Sequence, residues 1–178
     1  MSNGYDKLIQ KYEQYKRDLP DILEDQVLDE TSAELERKVR KRIFTDGLDS
    51  DGNLIGQNYS SKPTTVKKEV FIKPSAFKGN KSMKLQYGYK ELRDIQGLKT
   101  DKVNLNYSGE LKNKLRIARS QKTVVIGIVD RNNSEKAQSL EKKYQTRIFA
   151  FSEKEIQDHF KNVVKKLRKV QKEYFYGR

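Results

Sequence analysis

Apolar residues recur at helical spacing over the first quarter of the chain. Tyr5–Arg17 sets Leu8, Ile9, Tyr12 and Tyr15 near one face, which predicts a helix. Pro20 then interrupts, and proline suits the first turn of a second helix. From Asp21 to Phe44 the apolar positions are Ile22, Leu23, Val27, Leu28, Leu35, Val39, Ile43 and Phe44, an amphipathic helix. Its early acids (Asp21, Glu24, Asp25) and late bases (Arg37, Lys38, Arg40, Lys41, Arg42) complement the helix dipole. Gly47 supplies a stop, and Asp49–Asn53 reads as an Asp/Gly turn.

The periodicity then fades. Residues 57–84 are rich in Ser, Lys, Thr, Pro and Gly, with only Val66 and Val70-Phe71-Ile72 strand-like. A connection this long reads as a basic loop or arm, of the kind that orders on assembly. Gly88–Gln96 predicts a short helix closed by Gly97. Beyond it Val103, Leu105 and Tyr107 alternate with polar residues, the mark of a half-buried strand. Leu111–Ala118 and Thr123–Val129 flank a polar turn at Arg119–Lys122 and read as a hairpin. The apolar run TVVIGIV within it predicts a central strand, where Gly127 marks a bulge or close packing.

A helix follows over Asn133–Tyr144, with Ser134 as cap and Ala137, Leu140 and Tyr144 on one face. Arg147–Phe151 reads as a short strand. Ser152-Glu-Lys-Glu155 is a capping-box signature. It opens a last helix through Ile156, Phe160, Val163, Val164, Leu167 and Val170, with 171–178 expected to fray. The expected class is α+β: long N-terminal helices and a C-terminal helix packed on one antiparallel or mixed sheet, in a single domain over 1–178.

Composition narrows the chemistry. Apolar residues make up 34% and charged ones 35%, so the core is modest and much of the chain must face solvent or partners. There is no cysteine, which excludes disulfides, thiol nucleophiles and Cys-based zinc sites, and one histidine, His159, which excludes a His-rich metal site. No apolar run approaches the roughly 18–20 residues of a membrane span. The N-terminus lacks the apolar core of a signal peptide, so synthesis in a cytoplasm is expected.

The net charge of +13 is uneven: residues 1–61 carry 9 Lys/Arg and 13 Asp/Glu, whereas residues 62–122 carry 16 and 5. A basic middle third favours a polyanion, either nucleic acid or an acidic protein face. The candidate residues for that contact are Lys62, Lys67, Lys68, Lys112, Lys114 and Arg116. Phe71, Phe77, Tyr87, Tyr89 and Tyr107 lie among the basic positions, and bases can stack on such rings. Phosphate contact without sequence preference needs only the charge.

No catalytic, metal or cofactor site emerges. An EF-hand with Gly52 at position 6 would place Gly47 at position 1 and Asn58 at position 12, and both fail as calcium ligands. His159 has no serine or cysteine partner in a recognisable context. Glu141-Lys-Lys143 matches the Glu-x-Lys string of some metal-dependent nucleases, but on a predicted helix rather than a strand. The glycines form no phosphate-binding motif.

Three strings together resemble a known family: RIFTDGLDSDGNLIG at 42–56, GYKELRDIQGLKTDKVNLNYSGELKNKL at 88–115, and EKKYQTRIFAFSEKEI at 141–156. The chain resembles the phage virion-morphogenesis, or tail-completion, proteins that sit where head meets tail. Ser108-Gly109-Glu110-Leu111 stands where that family has a "GxL" element before a β-hairpin. Arg147-Ile-Phe149 followed by Ser152-Glu153 stands where it has "R-x-F" and a helix start. The "HxxG" segment of many members is missing here.

The resemblance implies a structural virion protein without enzymatic activity, made in the host cytoplasm. It implies a head–tail connector or neck subunit in a homo-oligomeric ring, commonly six- or twelve-fold, around the DNA channel. Other portal, neck or tail proteins and non-specific contact with genomic DNA are the expected partners; a membrane is not. A nucleic-acid-binding module that works alone is the alternative.

Overall fold

Helical backbone runs unbroken from Gly4 to Asp46 in the computed structural model, which describes residues 4–120 and 123–177. Helix α1 (Gly4–Asp21) contains Pro20 in its last turn and passes into a wide, π-helical stretch, Ile22–Leu28. Helix α2 (Asp29–Lys41) follows, and a second π-helical turn, Arg42–Asp46, ends at Gly47. The two expected N-terminal helices are therefore one run. A proline in a helix costs about 3 kcal/mol. The run buries Tyr15, Ile22 and Val27, each worth roughly 1.5–3 kcal/mol, so burial outweighs the break. The five-residue step from Ile22 to Val27 overshoots an α-turn, and the wider turn returns Val27 to the buried side.

Two compact units make up the chain. The first comprises Met1–Val39, Ile117–Val125 and Glu153–Arg178. In it the N-terminal run lies antiparallel to the last helix, α6 (Glu153–Tyr176). Lys11 Nζ donates to the Phe175 carbonyl (3.0 Å), Tyr174 Oη to Asp18 Oδ2 (2.9 Å), and Lys166 pairs with Glu30. Lys38 sits 3.5 Å from Asp158. The core is Tyr15, Ile22, Val27 and Val170, with Leu19, Val163 and Leu167 against it. The tail expected to fray is helical through Tyr176, and its Tyr174 and Phe175 rings meet Tyr15 at 5.1 and 5.2 Å, the first edge to face and the second tilted. Ile117 N–H donates to Glu36 Oε2.

His159 belongs to this unit, with Thr31, Glu34 and Lys38 facing it. Burial pushes its imidazole below the ordinary value of 6.5, against the opposing pull of a Thr31 backbone hydrogen bond and the Glu34 charge. The folded state then binds the proton more weakly than the unfolded one. The stability this group contributes is full above about pH 6.5 and falls as pH drops through that value toward the lowered folded pKa. Thermal melts from roughly pH 8 to pH 5 are expected to show this slope, and His159→Gln to flatten it. A slope unchanged in the variant assigns it to other groups.

The second unit comprises Arg40–Arg116 and Ile126–Ser152. Gly47 turns the chain with φ +68, in the left-handed region. The Asp49–Asn53 turn is as expected: Asp49 Oδ1 accepts from the N–H groups of Asp51 and Asn53. The 57–84 segment, expected to be a loop, holds a two-stranded antiparallel ribbon. In it β1 (Thr64–Lys67) pairs with β2 (Ser82–Leu85), Thr64 opposite Leu85. Val70 ends a short 3₁₀ turn and is not in a strand. The ribbon is ordered because Phe71, Leu85 and Leu92 bury together, Leu92 coming from α3 (Gly88–Ile95).

Other strands differ as well. Val103–Tyr107 is irregular, with Leu105 at φ +50, and Arg147–Phe151 forms no strand. A short helix, α4 (Glu110–Lys114), precedes β3 (Leu115–Ser120), which pairs with β4 (Thr123–Ile128) as the expected hairpin. Its polar turn falls partly outside the described residues. The TVVIGIV run is no central strand: β4 has one partner and its side chains alternate between exposed and half-buried. Nothing lies within 4 Å of a Cβ built on Gly127, so that glycine marks neither close packing nor contact. Helix α5 (Arg131–Tyr144) starts earlier than predicted, capped by Asp130 accepting from Asn133 N–H (2.9 Å) rather than by Ser134. The α+β class holds, with two small antiparallel ribbons in place of one sheet.

The three strings behind the family resemblance meet in this unit, the third of them only as far as Ser152. Arg42 donates to the carbonyls of Leu48 (3.2 Å), Ile148 (3.3 Å) and Ala150 (2.7 Å). Ser50 N–H donates to the Arg147 carbonyl, Thr146 Oγ1 to Asp49 Oδ2, and Val103 N–H to the Gly56 carbonyl. Glu141, from the nuclease-like string, accepts from the N–H groups of Ile148 (2.7 Å) and Phe149 (3.0 Å). It is a backbone clamp.

Candidate functional site

The second unit holds an open cleft of about 780 Å³ lined by aromatic rings. Helix α3 supplies Tyr89 and Arg93, one turn apart. The loop after Gly56 supplies Tyr59, the irregular segment supplies Leu105 and Tyr107, and α5 supplies Asn133, Lys136, Leu140, Lys143 and Tyr144. Tyr59 and Tyr89 meet edge to face at 5.5 Å, and Tyr89 and Tyr107 lie 5.8 Å apart.

Arg93 is the hub, 1% exposed. Its guanidinium donates to the carbonyls of Lys99 (2.9 Å) and Asn106 (3.1 Å) and to Asn104 Oδ1 (3.0 Å), and stacks 4.2 Å from the Tyr59 ring. Asn104 returns the favour to Tyr59: its N–H donates to the phenol oxygen, and its Oδ1 accepts the phenol proton. Burial raises the pKa of Tyr59, Tyr89, Tyr107 and Tyr144 above the ordinary phenol value. All four are neutral near pH 7, so they offer apolar faces and hydroxyls rather than charge.

One wall is polar. Glu110 accepts from Asn133 Nδ2 (3.1 Å) and Lys136 Nζ (3.3 Å), which holds its carboxyl below the usual range. Asp130 is held low by the backbone N–H and side chain of Asn133. Asn133 is 1% exposed; its Nδ2 faces these two carboxylates, and its Oδ1 meets no donor. Among the described residues no group of three or more acids or histidines is placed to hold a metal. Among the described residues no helix is long and apolar enough to cross a membrane.

The six basic candidates fall into two groups. Lys62, Lys67 and Lys68 are exposed around β1, with Lys67 opposite Ser82 in the ribbon. Lys112, half-buried, and Lys114, exposed, lie on α4, while Arg116 is exposed on β3. Lys114 sits 3.9 Å from Asp130, and Arg116 Nη1 donates to the Leu115 carbonyl. Of the aromatic residues noted among the basic positions, Phe71 and Phe77 are packed in the ribbon cluster and Tyr89 and Tyr107 line the cleft, while Tyr87 stays exposed. Arg93, Asn133 and Tyr144 were not anticipated as site residues: no local motif marks them, and only the fold gathers them. Compared with known protein families, curated proteins and solved structures, the chain matches none.

Proposed function

We propose that this chain is a structural subunit of a tailed-phage virion, a ring-forming head–tail connector or tail-completion protein around the DNA channel. The observation that carries this reading is the apolar stripe uncovered on α1: Tyr5, Leu8, Ile9 and Tyr12, at helical spacing and 53–75% exposed. Side chains at i, i+3, i+4 and i+7 are the anchors of a helix that docks on a partner. The meeting of the three family-like strings in one hydrogen-bonded substructure supports the same reading. On it, the tyrosine cleft and the exposed lysines contact neighbouring subunits, portal, neck or tail proteins, or passing DNA, and no reaction is turned over.

Native mass spectrometry of the chain, alone and with candidate portal and neck proteins, tests it. A closed ring or a complex of fixed stoichiometry is expected. A persistent monomer that ignores those proteins and binds duplex DNA, more weakly as salt rises, replaces this reading with a nucleic-acid-binding module.

A further inference from the structure

Charge is segregated between the two antiparallel partners of the first unit. Residues 18–36 contain Asp18, Asp21, Glu24, Asp25, Asp29, Glu30, Glu34 and Glu36 and no Lys or Arg. On α6, residues 161–172 contain Lys161, Lys165, Lys166, Arg168, Lys169 and Lys172 and no acid. Lys166 turns inward to Glu30. Lys161, Lys165, Arg168 and Lys172, spaced i, i+4, i+7 and i+11, form an exposed cationic face. These four side chains, with Phe160 and Val164, line a groove of about 620 Å³, in which Phe160 is 67% exposed.

We propose that this face of α6 docks the acidic run Asp18–Glu36 of a second copy, a head-to-tail contact that rests on the ring reading above and names its interface. Charge complementarity selects the occupant: an all-acidic helical stretch against an all-basic one, already attracted within one chain through Lys166 and Glu30. The apolar floor selects a protein helix over DNA, because phosphates need cations and not the Phe160 and Val164 side chains. On the acidic run, half-buried Leu23 and Leu28 lie among the acids and suit that floor. Two different faces in contact make a heterologous interface, which closes into a ring when the rotation allows.

The test compares three forms of the full chain by mass photometry across a salt series: unaltered, Lys161→Glu/Lys165→Glu/Arg168→Glu/Lys172→Glu, and Asp21→Lys/Asp25→Lys. The unaltered chain is expected to assemble, more weakly as salt screens the contact. Each variant alone is expected to dissociate more than about tenfold more readily, and the two mixed are expected to assemble again. Helical circular dichroism checks folding. The single change Phe160→Ala, at a solvent-facing position, is expected to weaken assembly several-fold without disturbing the fold. A quadruple variant that assembles as tightly as the unaltered chain overturns this interface and leaves the ring reading intact. Loss of duplex-DNA binding in that variant with assembly unchanged gives the face to DNA and overturns it too. A chain that never self-associates removes the ring reading along with it.

Discussion

Replacing Arg93 with methionine is expected to lower the stability of the second unit by about 3–5 kcal/mol, a large share of the 5–15 kcal/mol of a typical domain. The change leaves the Lys99 and Asn106 carbonyls without the donor they now share, while Asn104 Oδ1 loses one of three and keeps the Tyr59 hydroxyl and the Asn106 N–H. Each of these part-buried carbonyls left unpaired costs about 1–3 kcal/mol, with water recovering part. It also removes the cation from the Tyr59 ring. Arg93→Lys is expected to rescue little, since one ammonium cannot span three acceptors that a planar fork reaches together. The chain has no Trp and 10 Tyr, so near-ultraviolet circular dichroism in urea reads out the tyrosine cluster. A urea midpoint within a few tenths of a molar of the unaltered chain sinks the idea that Arg93 holds the cleft together.

How much of this was legible follows from the range of each interaction. The long helices were readable because their apolar spacing is local, and Gly47 and Gly97 closed the helices they were expected to close. Pro20 was read as a break because its cost is local, while the burial of Ile22 and Val27 that overrides it comes from α6, far along the chain. TVVIGIV has the composition of a buried strand, yet apolar content cannot tell one neighbouring strand from two. Val103–Tyr107 alternates as a strand does, but with no partner strand to pair with, its backbone kinks at Leu105 and Asn104 serves Arg93 and Tyr59 instead. The six basic residues share only their charge as a signal, and charge does not say which surface carries them. The cleft was invisible because Tyr59, Tyr89, Tyr107 and Tyr144 sit in four different segments and carry no common motif.

Gly88→Ala is expected to be the most damaging change of one methyl group, at about 3 kcal/mol. The residue opens α3 at φ +56, a conformation that costs a side-chain-bearing residue roughly 1–2 kcal/mol. A Cβ there would stand 2.2 Å from the Lys62 carbonyl oxygen and 3.0 Å from that of Ser60. Both obstacles are backbone and cannot swing aside. Ser60 already accepts from Lys90 N–H, tying the start of α3 to the irregular segment that leads into β1. Relief of the clash must therefore move Lys62 and with it the ribbon whose Leu85 packs on Leu92 and Phe71. The matched control is Gly127→Ala, in a strand with open space around it, which is expected to be neutral or to add up to about 1 kcal/mol by restricting the unfolded chain. Urea midpoints for the pair, followed with the tyrosine signal, are expected to move apart, Gly88→Ala downward. Equal midpoints would mean that the close approach of Lys62 to Gly88 does not hold the ribbon against α3.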